Sequence, residues 1–600
     1  MRLRRAAASP VLLAVLSACN GGGGNGGPGP GPGTPPPGGA NPCSGVSLTA
    51  LTAPGDQRLR DEKRTRVDGD SRYDVLDALA LHRRRSAGGV PRAEAGPARD
   101  NVDIGEIAVV QDEGDLVAPP NSFDLRGAAV RFTPNGAGGY DAQRIEAGFR
   151  PTLGQQVTLT DDDSSPATIA FNFPFYGQAQ TAAFVNSDGN VTFGEGDVAS
   201  TERNVARLLT GAPRVAPFLA DLDPSTGGRV FVNAAADQYS VTWCSVRGFD
   251  SQLTITTQMT LLPDGTIEFV YAGGASLSDA VVGVSPGRTG DFTPLDLSAT
   301  APAGGSEAVG ERFAARAQLD NVALLRKFYQ THPDNYDQVI IWTDASLVHD
   351  AFAYEMTVAN EVRGIGVPLF DAARDFGSAG RLRSVAVMDW INKYPEDPRQ
   401  QFLGENTTVS VLGQEVGHRW LAFVEFRDHN GARSTQLLGR GESHWSFFFD
   451  SDASVMEGND IEDLGGGSFR TVDAVSRFSL LDQYMMGLVA PSQVPAFFYV
   501  ENPTNVSPNR NRESAPDIGV TFNGTRREVL VNDIIDIYGP RIPGAADSAR
   551  LHRQAFIFVA SSGSDPSSAT VSKLDRIRTE WEAFFLQATD GRMRAITTLR

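Results

Sequence analysis

Between residues 120 and 298 the chain is cut into short apolar or alternating runs, and no other feature limits its fold as strongly. Runs at 157–159, 168–175, 183–185, 191–193, 230–232, 239–243, 253–262, 266–271 and 281–284 each have the length of one strand. Asp188-Gly189, Gly227-Gly228 and Pro263-Asp264-Gly265 separate them, supplying the positive or preset φ that tight turns need. Short strands at this spacing specify an all-β, sandwich-like domain.

A chain of 600 residues outgrows one core, since single cores rarely pass about 250–300 residues. After the small-residue stretch 302–306 the texture changes. Phe313, Leu319, Val322, Leu325 and Phe328 recur at helical spacing and predict a helix over 307–330. Gln338–Thr343 is a buried-type strand, followed by a second helix, a strand-like run at 382–390 and a helix over 408–420. That order suits an α/β (α+β) domain over 306–600, so the fold class is multidomain, all-β followed by α/β.

The N-terminus is a targeting segment. Arg2, Arg4 and Arg5 precede an apolar stretch, residues 6–16, that is too short to span a bilayer as a helix. Leu16-Ser17-Ala18-Cys19 resembles the lipobox of bacterial lipoproteins, which implies removal of residues 1–18 and acylation of Cys19; an ordinary secretory signal is the other reading. Residues 19–54 are a Gly/Pro-rich tether, which cannot bury a core. Residues 55–119 are charged and weakly periodic, with one helix over 73–81 and a basic cluster at Arg83-Arg84-Arg85; they are expected to be a poorly ordered linker. Besides Cys19 the chain has Cys43 and Cys244, which can pair in an oxidising compartment. The expected membrane contact is through the lipid anchor alone. A formal net charge of −19 excludes broad nucleic-acid binding, which needs a basic footprint.

Phe171-Asn172-Phe173-Pro174-Phe175-Tyr176-Gly177, the stretch from Phe184 to Gly194 around Asn186-Ser187-Asp188-Gly189, Ala216-Pro217-Phe218-Leu219-Ala220-Asp221-Leu222-Asp223, and Leu262-Pro263-Asp264-Gly265-Thr266 resemble the nidogen-like extracellular domain. The resemblance implies an extracellular structural or adhesive module. Asp221 and Asp223 can bind Ca2+ or stabilise a turn.

The chemistry concentrates in the 408–420 helix. At about 100° per residue, Val409, Leu412, Val416, Trp420 and Phe423 form one apolar stripe. Gln414 and His418 lie opposite, beside Glu415. The run Gln414-Glu415-Val416-Gly417-His418 is the zincin metallopeptidase pattern H-E-x-x-H with Gln in the first ligand position; the bland alternative is the polar face of a packed helix. The resemblance implies zinc on His418 and a proton-transferring Glu415. Glu425 and His429 are excluded if the helix continues, because they lie about 10 Å and 16 Å farther along. His444 is the better second ligand, with Gln414 or an acidic residue as the third. Ser454-Val455-Met456-Glu457-Gly458 resembles the Met-turn beneath such sites. The acidic stretch Asp450, Asp452, Asp460, Glu462 and Asp463 can bind Ca2+, supply a carboxylate ligand or simply be solvated. Tyr484 is a candidate transition-state stabiliser or a core-edge tyrosine. No G-x-S-x-G elbow with suitable partners and no phosphate-binding G-x-x-x-x-G-K-[ST] occurs.

Two functions follow. One is an envelope-anchored, zinc-dependent endopeptidase acting on a protein or peptide. The other is a catalytically inactive zincin-fold surface lipoprotein used in adhesion or protein binding.

Overall fold

The computed structural model describes residues 40–46, 49–50, 75–87, 101–200, 203–348, 351–507 and 510–599. The expected signal peptide, Cys19 and most of the tether lie outside these.

The first unit is the expected sandwich. One sheet runs in the order Phe292–Pro294, Ala308–Phe313, Ala280–Ser285, Arg214–Leu219, Asn190–Thr192, Gln178–Asn186, Ser164–Phe175. The facing sheet runs Ala303–Gly305, Tyr140–Ile145, Ala129–Pro134, Ile267–Tyr271, Thr254–Leu261, Tyr239–Gly248, Arg229–Ala234, Gln155–Val157. Nearly all pairs are antiparallel, so alternate side chains meet in one core around Phe132, Phe173, Phe218, Trp243 and Phe269. Each sequence run noted above falls on a strand, except 157–159, of which only Val157 does. The unit ends later than residue 298, however. Ala308–Phe313, expected to begin a helix, is a strand between Ala280–Ser285 and Phe292–Pro294. Phe313 fills the sandwich core, which is why its spacing to later apolar residues only imitates a helix. Cys43 and Cys244 are joined by a disulfide, tying the described N-terminal residues to the sandwich.

The second unit is built on a sheet ordered Val102–Ile104, Ile107–Asp112, Leu551–Ser561, Gln338–Thr343, Ser384–Trp390, Tyr354–Thr357, with Arg594–Ile596 also on Leu551–Ser561. The middle pairs are parallel and the edge strand Tyr354–Thr357 is antiparallel. Residues 101–119 are therefore no linker. Ile107–Asp112 is almost wholly buried and lies beside a strand more than four hundred positions away. The sandwich is an insertion in this second unit, with its two ends zipped by Val117–Ala118 on Gln318–Leu319 and by Asn121 on Ala314. A small closed barrel of strands between Phe449 and Val529 lies within the same unit. The second helix expected before 382 is reduced to one turn, Ala373–Phe376.

Seven α-helices occur among the described residues: α1 Val75–Ser86, α2 Val205–Thr210, α3 Asn321–Tyr329, α4 Thr408–Gly417, α5 Leu480–Met486, α6 Val531–Tyr538 and α7 Ser568–Ala588. Helix α1 clasps the two units together. Asp77 accepts from the backbone of Val205, and Arg84 lies 3.8 Å from Glu311 of the sandwich. Arg85 bonds Asp320 at 2.9 Å and His82 bonds the same carboxylate at 3.1 Å. The basic cluster is thus a set of interdomain anchors rather than a solvated linker. Asp320 also caps α3 through Ala323 N–H.

Asp320→Ala removes that cap and leaves Arg85 half-buried without its carboxylate. The expected loss is about 2–4 kcal/mol in denaturant unfolding, with faster tryptic cleavage at Arg83–Arg85 under native conditions.

Candidate functional site

Helix α4 starts where Thr407 and Ser410 form a reciprocal capping box, which satisfies two otherwise orphaned N–H groups. All ten of its residues are buried, so it is not a surface helix with a wet face. Its polar side lines an open cleft. Two glycines one turn apart permit the close packing. A Cβ on Gly413 would stand 3.2 Å from the Phe584 ring of α7, and one on Gly417 would stand 2.6 Å from Met456 Sδ. The 454–458 turn therefore lies directly against the helix.

The helix stops at Gly417, with His418 as its C-cap. Beyond it the chain turns, so the geometry that ruled out Glu425 does not apply; Glu425 returns to the cavity wall. His429 is exposed in the 428–431 turn.

Gln414, His418 and His444 come together. Gln414 Nε2 lies 2.8 Å from His444 Nε2, and the two imidazole rings are 4.9 Å apart, edge to face. His444 Nδ1 donates to Arg440 O at 2.8 Å and His418 Nδ1 to Leu421 O at 3.3 Å. With Nδ1 carrying the proton, each Nε2 keeps its lone pair, the arrangement that second-shell carbonyls impose on ligating histidines. Burial, with His444 adding to it, holds the His418 pKa well below the usual imidazole value, so its ring is neutral. Glu415, 4 % exposed, follows Gln414 on the helix. All four side chains line one cavity of about 630 Å3, whose other walls include Glu355, Phe423, Glu425, Arg433 and Tyr538. Arg440 stands 3.5 Å behind His444 Nε2 and is ion-paired with Glu457 of the 454–458 turn.

The helix end is pinned from below. Arg419 reaches Glu361 at 3.1 Å and His552 Nδ1 at 3.4 Å. His552 Nε2 meets Gln338 Oε1, and Gln554 connects that amide to Trp581 of α7. Burial, with Arg419 adding to it, pushes the His552 pKa down to about 3.

Other sequence candidates lie elsewhere. The Tyr484 hydroxyl accepts from Arg541 N–H at 3.1 Å and is buried away from the cavity wall, which is the core-edge role. Tyr538 occupies the wall instead, its hydroxyl within 3.4 Å of Glu425; it lies too far along the chain for local spacing to have flagged it. Glu355, on the sheet's edge strand, carried no motif at all. Among the described residues, one group of three or more His, Cys, Asp or Glu side chains gathers its ligand atoms within 4.8 Å: Asp161, Asp162 and Asp221. Arg203 already bonds Asp162 at 2.6 Å and Asp221 at 3.2 Å. Asp223 accepts from Ser225, the turn-stabilising role. Asp450, Asp452, Asp460, Glu462 and Asp463 do not join the histidines; Asp450 accepts from Ile461 N–H and Asp452 faces Arg477.

Residues 139–321 match the family described as NIDO related, which covers most of the sandwich and its return to α3. No solved structure matches the chain.

Two outcomes follow from this geometry. Gln414→Ala takes away the side chain that lies 2.8 Å from His444 Nε2, and the expected loss is about 1–3 kcal/mol in denaturant unfolding. His552 has a folded pKa below its unfolded value, so its contribution to stability is complete above about pH 6.5 and is lost as pH falls. Between pH 7 and 4 that loss is on the order of 3 kcal/mol. His552→Gln should flatten this part of the pH dependence in denaturant titrations.

Proposed function

We propose that the chain is an exported, envelope-tethered, zinc-dependent endopeptidase, with a zincin-like domain that carries a nidogen-like sandwich as an insertion. The observation that carries this reading is the meeting of Gln414, His418 and His444 beside Glu415 in one cavity. The donor set fits a divalent cation: His418 and His444 each donate Nδ1–H to a backbone carbonyl and turn Nε2 the other way, and the Gln414 amide presents its oxygen when turned over. The set carries no anionic ligand and has Arg440 close by, so affinity is lower than for three imidazoles. Bound zinc supplies Lewis-acid polarisation of the scissile carbonyl. Glu415 takes the proton of the attacking water and passes it to the leaving amine. The cavity walls orient the peptide.

Export is supported by the Cys43–Cys244 disulfide, since such bonds persist in oxidising compartments, and by the match of the sandwich to a nidogen-related family. Among the described residues no helix is long and apolar enough to cross a membrane; anchoring is assigned to Cys19. The acidic balance gives no footprint for nucleic acid.

One observation favours a second reading. The Gln414–His444 contact at 2.8 Å satisfies both groups without a metal, as expected of a zincin fold retained for adhesion or protein binding. Metal analysis of the purified chain separates the two. The enzyme reading expects about one zinc per chain, absent from His418→Ala. Glu415→Ala should keep the metal and lose about 100- to 10,000-fold in peptide hydrolysis. No bound zinc, and no thermal shift on adding it, leaves the binding protein.

A further inference from the structure

The cavity's charged lining is uneven. Glu355, Glu415, Glu425 and Glu442 face it against a single Arg433, and Arg433 is held by Glu425 at 3.2 Å. Glu442 is mostly exposed and 3.8 Å from Arg512. Glu355 is different. It lies on the antiparallel edge strand Tyr354–Thr357, paired in register with Ala386. Tyr354 and Met356 point into the core on the far side of the sheet. Ala386 packs on the near side with Val409, Leu412 and Val416 of α4, so Glu355 is directed to the face that bears the helix and the cavity. Thr357 Oγ1 donates to its two oxygens at 3.1 and 3.2 Å. Among the described residues no Lys or Arg forms an ion pair with it; Arg419, the nearest cation to act on it, is at bonding distance from Glu361.

A carboxyl on a cavity wall without a cation is a poor place for an anion and a good place for an incoming one to be neutralised. We propose that Glu355 is a specificity-determining residue that selects substrates bearing a cationic nitrogen, either a lysine or arginine side chain or a free N-terminus, next to the bond presented to Glu415. This rests on the peptidase reading of the site. Burial agrees with it: the Glu355 pKa is raised to about 8, against the hydrogen bonds from Thr357 and Ser384. In the free protein the group is therefore mostly a neutral acid at pH 7; when an ammonium or guanidinium enters the cavity, the carboxyl releases its proton to solvent and becomes a paired carboxylate. The gain comes from a charge-assisted hydrogen bond. Norleucine, which has the length of lysine without its charge, cannot supply it.

The test uses the full chain and a set of fluorescein-labelled peptides of one length. Three are N-acetylated with lysine, arginine or norleucine at the central position; a fourth has norleucine and a free N-terminus. Binding is read by anisotropy in Glu415→Gln, where turnover does not interfere, and cleavage is read with Glu415 intact. At least one cationic form should bind about tenfold or more tighter than acetylated norleucine. The preference should vanish when Glu355→Gln is added and survive in part in Glu355→Asp. Because Glu355 is mostly uncharged in the free protein, the Gln variant is close to isosteric and isoelectronic there, and near-UV circular dichroism checks that both variants keep the fold. The acetylated lysine and free-amine peptides tell which nitrogen is read. Equal binding of charged and neutral peptides, or a preference that persists in Glu355→Gln, overturns the proposal. A Glu355-dependent preference without cleavage of any peptide leaves the cation site standing and removes the peptidase reading; cleavage without the preference does the reverse.

Discussion

The parallel pairing of Ile107–Asp112 with Leu551–Ser561 is the contact on which the rest of the molecule depends. It places near-terminal segments at the middle of one sheet, and everything between them must leave and return to that sheet. The sandwich does so through a stem only two short pairings wide. Helix α1 then bridges both units from outside, with Asp77, Arg84 and Arg85 turned to partners on each. Leu551–Ser561 also carries His552, which touches Arg419 immediately after His418. The sheet that closes the chain thus also holds the end of the site helix.

Helix α4 meets a constraint of its own. It is buried all round, and a buried polar group left unpaired costs about 1–3 kcal/mol. Gln414, His418 and His444 are each satisfied, by one another or by backbone carbonyls. The neighbouring Trp445 donates to Asp482, whose carboxylate also caps α5. Burial alone drives the Asp482 pKa to about 6 despite these bonds. Gln414, Glu415, His418 and His444 are thus gathered at one cavity.

Legibility followed the range of the interactions. The sandwich strands could be read because alternation and turn residues are local, and the 408–420 helix because its apolar stripe and cap are local. The helix expected over 307–330 failed in its first half, where Phe313 answers to the sandwich core and not to a helical face. Residues 101–119 looked like linker because their buried run is short and its partner strand lies at the other end of the chain. From sequence Tyr484 stays open between a transition-state stabiliser and a core-edge tyrosine, because helix α5 has apolar neighbours on both faces, and packing gives it the core-edge role.

By itself the sequence determined most of the strand content of the sandwich and the position of α4, because alternation, turn residues and helical spacing are local. Gln414, Glu415, His418 and His444 stand out through the zincin resemblance and not by spacing alone. Tertiary structure alone decided that the sandwich is inserted rather than sequential, that α4 stops at Gly417 so that Glu425 re-enters the site, and that Glu355 and Tyr538 share its cavity. These depend on contacts between residues tens to hundreds of positions apart, which chain-local periodicity does not encode.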